Sequence, residues 1–122
     1  MDDEEMVRDV LGRMLGHLGY EVDSASDGSQ AIEKFVKAKA EGRPFAAVIL
    51  DLTVPGGMGG QETIEKLLKI DPQVKAIVSS GYSDDPIMAD FENYGFRAVM
   101  VKSNRVVPLS EILRRVITKR AK

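Results

Sequence analysis

Cysteine is absent from the 122 residues, histidine occurs once, at His17, and no apolar run approaches the length of a membrane span. The first absence excludes disulfides and thiolate metal sites. The second means that chemistry needing a further histidine has to draw on one outside these residues. The third excludes a spanning helix, which takes about 20 apolar residues. Positive charge is not in excess either: the net charge is −2, so nothing in the overall balance favours a phosphate backbone or an anionic lipid surface. No signal peptide is recognisable at the start, and the simplest expectation is a cytoplasmic protein, or a cytoplasmic part of a membrane-attached parent, with no direct contact to nucleic acid or membrane. What is present is ordinary globular material, 43% hydrophobic and 30% charged. The length suits one domain spanning 1–122.

Apolar residues recur along the chain with alternating periods. Met6, Val7, Val10, Leu11, Met14, Leu15 and Leu18 are spaced as on an amphipathic helix that Gly19 stops. Glu21 to Ala25 reads as a short strand, and Asp27-Gly28-Ser29 opens a helix with Ala31, Ile32, Phe35 and Val36 on its apolar side, ending near Glu41-Gly42. Phe45 to Leu50 is a buried strand ending at Asp51. A turn rich in glycine, Pro55 to Gly60, leads to a helix with Ile64, Leu67 and Leu68 inward, closed by Asp71-Pro72. Lys75 to Ser79 is a strand, a polar loop runs to Pro86, and a helix through Met88, Phe91 and Tyr94 closes at Gly95. Ala98 to Val101 is the last strand. The last helix begins at Pro108, with Ile112, Leu113, Val116 and Ile117 inward and Arg114, Arg115, Lys119 and Arg120 outward. Strands alternating with helices predict an α/β fold with a parallel, doubly wound sheet covered on both faces.

Chemistry gathers at the strand ends. Asp51 closes its apolar run immediately before a turn, which places a carboxylate at the sheet edge where ligands bind in open α/β folds. Asp2 and Asp3 stand at the start of the chain, Ser80 follows another strand, and Lys102 follows the last. Taken singly these are a turn cap, an acidic helix start, a turn serine and a solvated lysine; their joint order is what describes a site. Pro55 to Gly60 lacks the Lys-Ser/Thr pair of a phosphate-binding loop. His17 reads as a surface residue, and the basic last helix, with Lys122 beyond it, as a solvated face.

The order Asp2-Asp3, Asp51, Ser80, Lys102 resembles the site of receiver domains of two-component signalling, and the resemblance runs from Met1 onward. The stretches Val48 to Gly60 and Ala76 to Pro86 look most like receivers of hybrid sensor histidine kinases. The resemblance implies a flavodoxin-like fold and a phosphoacceptor role in a phosphorelay. Asp51 would take a phosphoryl group from the phosphohistidine of a histidine kinase or histidine phosphotransfer protein, forming an aspartyl phosphate. It implies Mg2+, with Mn2+ as a substitute, held by Asp3 and Asp51 directly, by Asp2 through water and by the Thr53 backbone carbonyl. Two unit charges ~4 Å apart repel by roughly 4 kcal/mol at an effective dielectric near 20, and a divalent cation relieves that conflict. Lys102 and Ser80 would then hold the phosphoryl oxygens and bias the loop after Ser80, a charge-driven population shift. No kinase activity is expected of the domain itself, although the parent would be a transferase if it is a hybrid kinase.

The sequence departs from the family pattern at three places. Val99 stands where many receivers have an aromatic three positions before the lysine, and Ser103 stands where proline usually follows it. The apolar strand that usually precedes the acid pair, central in the sheet, is not in this chain. A lost strand of about five residues, at ~1.5 to 3 kcal/mol per large buried side chain, compares with a whole domain's ~5 to 15 kcal/mol. The expectation is therefore that Met1 is an internal methionine of a domain truncated before its acid pair, with the gap closed by rearranged strands, strand exchange or a dimer. Two rivals remain on the sequence. One is a degenerate receiver that binds a partner without phosphorylation. The other is a haloacid-dehalogenase-like phosphatase, which would want an acid at position 53, where this chain has threonine.

Overall fold

The computed structural model describes residues 1–81, 86–101 and 106–118, without the side chains of 101, 106–108 and 118. Helix α1 spans Glu5–His17, α2 Gly28–Ala40, α3 Gly60–Ile70, α4 Pro86–Ala89 and α5 Val106–Thr118; strands β1 (Val48–Asp51), β2 (Ala76–Ser80) and β3 (Ala98–Val101) lie between them. The sheet is parallel, in the order β1-β2-β3, with Asp51 opposite Ser79 and Ser80 opposite Val101.

β2 is buried at every residue because it has a neighbour on each edge and helices on each face. Its alternating side chains enter two separate cores. Ala76 and Val78 join Phe35 of α2 and Ile64 and Leu67 of α3, whereas Ile77 joins Met14 of α1 and Leu109, Leu113 and Val116 of α5. Two cores divided by one parallel sheet are what the period-2 and period-3.6 patterns together require. Helix ends follow their capping residues. Asp27 accepts the Gln30 N–H to start α2, and Gly19, Gly42 and Gly95 lie at positive φ just beyond helical segments, where a side chain would be strained.

Several expectations are corrected. Glu21 to Ala25 is not a strand among the described residues: its one backbone bond across to a neighbour is Asp2 N–H to the Ala25 carbonyl, 3.1 Å, and extended backbone without a ladder partner is not a sheet element. The helix expected through Met88, Phe91 and Tyr94 is two short pieces, α4 and a 3-10 turn at Phe91–Tyr94. The break falls at Asp90, which leaves helical geometry and accepts a hydrogen bond from the Asn93 side chain. Met6 and Val36, counted on apolar stripes, are 78% and 44% exposed, since each lies on the flank of its stripe. β1 is shorter than the apolar run from Phe45, and α5 starts two residues before Pro108, which the first turn of a helix tolerates. Tyr82, Ser83, Asp84 and Asp85 of the polar loop, and Lys119, Arg120 and Lys122, lie outside the described residues.

Candidate functional site

β1 delivers Asp51 to the sheet's C-terminal edge with 2% of its surface exposed. Its backbone is fixed from the neighbouring chain start: the Asp51 N–H donates to the Met1 carbonyl at 3.0 Å, and the Met1 amino group donates to the Ile49 carbonyl at 2.6 Å. Those two bonds place Asp2 directly beside Asp51, and Asp2 is also 2% exposed. The Asp2 carboxylate accepts the Glu4 N–H at 3.0 Å, an Asx-type turn that leads into α1, while Arg8 donates to the Asp2 carbonyl at 2.9 Å. Burial holds the Met1 ammonium below its usual pKa range, against the opposing pull of the Asp2 and Asp51 carboxylates.

The sequence-predicted residues are therefore gathered in part. Asp2 and Asp51 meet at adjacent backbone positions. Asp3 is exposed, and its carboxylate lies within 4.8 Å of those of Asp2 and Glu4, a grouping that does not include Asp51. Thr53 is exposed two residues beyond Asp51, and Ser80, 3% exposed, ends β2. Lys102 and Ser103 lie outside the described residues. Glu4 was not singled out from the sequence, where it reads as one more acid in a helix start. Ser79 was also missed: it sits opposite Asp51 in register, 2% exposed, and among the described residues its hydroxyl has no hydrogen-bond partner. Only the register, which the sequence does not print, brings it to the site.

The turn after Asp51 is packed too closely for side chains. A Cβ on Gly60 would lie 2.8 Å from the Asp51 carbonyl oxygen, and one on Gly59 2.6 Å from that of Leu52. α3 thus begins against the backbone of the acidic residue itself, with Gly60 N–H bonded to the Leu52 carbonyl at 3.3 Å. On the other side, Leu52 N–H donates to the Ser79 carbonyl at 2.9 Å. The acidic strand end is clamped from three directions by backbone.

Two buried carboxylates side by side, with a third and fourth acid within reach of one of them, form a set of hard oxygen donors that suits a divalent magnesium ion. No helix among the described residues is long and apolar enough to cross a membrane.

Comparisons with known proteins bear on the family and the fold. A family described as the response regulator receiver domain matches residues 1–114. The chain is 30% identical over 117 residues to the chemotaxis protein CheY of Thermotoga maritima, covering 95% of this chain and 92% of the relative. It is 29% identical to the response regulator GacA of Pseudomonas aeruginosa, but spans only 52% of that protein. Among solved structures, the response regulator TrrA of Thermotoga maritima in complex with Mg(2+)-BeF superposes with a TM-score of 0.81 at 30% identity, covering 94% of this chain and 93% of that one. With a CheY-like flavodoxin fold and a matched sequence over nearly its whole length, the chain belongs to the response regulator receiver domain family.

Proposed function

We propose that the chain, as a single receiver domain, is the phosphoacceptor of a two-component relay, with Asp51 as the residue that carries the phosphoryl group. The observation that supports this most is Asp51 itself: a carboxylate 2% exposed, at the mouth of a parallel sheet, beside a second carboxylate equally buried. Bringing two carboxylates together out of water is costly, so such a pair at a strand end is a functional arrangement before it is a stabilising one.

In the reaction, an Asp51 oxygen attacks the phosphorus of a phosphohistidine on a histidine kinase or a histidine phosphotransfer protein. The O–P bond forms as the P–N bond breaks, and the electron pair leaves on the imidazole nitrogen, which takes a proton. Little covalent work is asked of the protein, and positioning and electrostatics dominate. Asp2, Asp3 and Asp51, with the Thr53 carbonyl, would hold Mg2+, which, when bound, offsets the repulsion between carboxylates and the incoming phosphoryl oxygens. TrrA of Thermotoga maritima, a solved relative, is described in complex with Mg(2+)-BeF. The backbone clamp from Met1, Ser79 and Leu52 keeps the strand end from shifting when charge accumulates there. Ser80 at the end of β2 and Lys102 would bind the transferred group, so that the segment following Ser80 responds to its charge.

The stretch Val48 to Gly60, with its Leu-Thr-Val-Pro-Gly-Gly turn from Leu52, supports a finer reading, a receiver carried by a hybrid sensor histidine kinase. The test of the acceptor role is intact mass after incubation with acetyl phosphate and Mg2+. One phosphoryl group is expected on the native chain and none on Asp51→Asn. Equal phosphorylation of the variant overturns the assignment of Asp51.

A further inference from the structure

β2 ends in two serines that belong to opposite faces of the sheet. Side chains alternate along a strand, and the two cores show which way they fall: Val78 lies in the core with α2 and α3, and Ile77 in the core with α1 and α5. Ser79, two residues after Ile77, is therefore on the α1/α5 face and Ser80 on the other. The same count on β1 puts Asp51 on the face of Ser79, because Ile49, two residues before it, packs against the α1/α5 core. Register then makes Asp51, Ser79 and Met100 one row across the three strands, with neighbouring strands about 4.8 Å apart.

Ser79 is buried, and its hydroxyl has no hydrogen-bond partner among the described residues. A buried hydroxyl in that condition is costly, and alanine would fill the place without the cost. Of its two neighbours in the row, Met100 offers only a thioether, a weak acceptor, and the other is the acidic residue itself. The serine is also held in place. Leu52 N–H donates to its carbonyl at 2.9 Å, which ties its backbone to the residue after Asp51. A fixed donor thus stands beside the position where a charged group is to arrive, the kind of exception to hydrogen-bond satisfaction that a functional role explains.

We propose that the Ser79 hydroxyl donates to an oxygen of the phosphoryl group carried by Asp51, as a second hydroxyl donor beside Ser80, and so lengthens the life of the aspartyl phosphate. The inference rests on Asp51 being the acceptor. A phosphoryl group brings nearly two negative charges and three strong acceptor oxygens, and a hydroxyl one strand away in the same row is within its reach. A bond made only then stabilises the loaded state and leaves the unloaded one as it is. Loss of the group is hydrolysis: a water oxygen bonds to phosphorus as the bond to the Asp51 oxygen breaks, the electron pair stays on the carboxylate, and both water protons go to the released phosphate. The transition state is loose and metaphosphate-like, with less charge on the phosphoryl oxygens than in the bound dianion. The Ser79 bond is therefore stronger before that step than during it, and it slows departure.

The test loads the native chain, Ser79→Ala and Ser79→Thr with acetyl phosphate and Mg2+, removes the donor by rapid desalting, and follows the added phosphoryl mass with time; the phosphorus NMR resonance of each loaded protein is also recorded. Ser79→Ala is expected to load on Asp51, to lose the group at least about threefold faster than the native chain, and to show a displaced resonance. That acceleration is part of the roughly tenfold or more that a hydrogen bond to a charged group is worth. Ser79→Thr keeps the hydroxyl and should decay within about twofold of the native chain. A Ser79→Ala decay accelerated by less than about threefold, or an undisplaced resonance, overturns the proposal and leaves Asp51 assigned. So does equal acceleration in Ser79→Thr, which makes packing rather than the donor the cause. A native chain that does not load, or an Asp51→Asn chain that loads equally, overturns the acceptor reading and this proposal with it.

Discussion

Gly60→Ala tests how tightly the acidic strand end is held. In the folded chain an added Cβ lies 2.8 Å from the Asp51 carbonyl oxygen and 3.3 Å from both the Asp51 carbonyl carbon and the Leu52 Cα. Those atoms are backbone, and they cannot rotate away as a side chain can. Relief at the 2.8 Å contact requires α3 to retreat from β1 by several tenths of an ångström. That retreat strains the Gly60 N–H bond to the Leu52 carbonyl, already 3.3 Å long, and disturbs the packing of the fully buried Ile64 and Leu67. Overpacking of this kind costs about 1 to 3 kcal/mol. Alanine's better helix propensity returns up to about 1 kcal/mol in a helix interior, and less at the first helical position. A net loss of about 1 to 2 kcal/mol is expected. With a urea m-value of about 1.5 kcal/mol/M, the midpoint falls by roughly 1 M. The control is Gly16→Ala in α1, where the new Cβ meets nothing within 4 Å and φ is helical; it should raise stability by about 0.5 to 1 kcal/mol. A Gly60→Ala midpoint within 0.2 M of the native chain, measured with the m-value unchanged, refutes the clamp.

Other outcomes follow from single contacts. Ser79→Ala removes a buried hydroxyl that has no hydrogen-bond partner among the described residues, so urea unfolding should show no loss and a gain of up to about 1 kcal/mol; a loss above that size means the hydroxyl is bonded in solution. Thr63→Val deletes the bond from its hydroxyl to the Gly59 carbonyl, 2.7 Å, at a fully buried site, and should cost about 1 kcal/mol in the same assay. The Lys34 ammonium bonded to Asp23 holds that carboxyl below the usual carboxylate range, so the pair stabilises the fold above the unfolded pKa near 4 and loses that contribution as pH falls through the folded value. Both side chains are substantially exposed, 39% and 51%, so Lys34→Ala should cost only a few tenths of a kcal/mol at neutral pH, and the difference should shrink in acid to what the Lys34 bond to the Ser24 carbonyl contributes; a difference that grows below pH 4 contradicts it.

Much of this architecture was legible because burial on a parallel sheet leaves continuous apolar runs and helices leave stripes. The run Ala76-Ile77-Val78 is buried throughout, and Phe35, Ile64, Leu67, Leu113 and Val116 sit in the cores that their spacing predicts. Asp51 and Ser80 were legible as strand-end residues because polar side chains closing or flanking apolar segments mark the sheet edge. What escaped depended on neighbours distant in sequence. Glu21 to Ala25 carries the composition of a strand, but a strand exists only in its ladder, and one bond from Asp2 does not make one. Ser79 looked like any strand serine until register set it against Asp51, and Glu4 joined Asp2 and Asp3 through a turn whose closing bond runs from its own N–H to Asp2. The helix expected through Met88, Phe91 and Tyr94 divides at Asp90 through an Asn93 contact that helix periodicity does not encode.

The central claim is that Asp51 is a metal-assisted phosphoacceptor. Intact mass spectrometry of the native chain with acetyl phosphate, with and without Mg2+, beside Asp51→Asn, tests it most directly. The account predicts one added phosphoryl group in the native chain with Mg2+, and none in its absence or in the variant. No gain by the native chain with Mg2+, or an equal gain by Asp51→Asn, contradicts it.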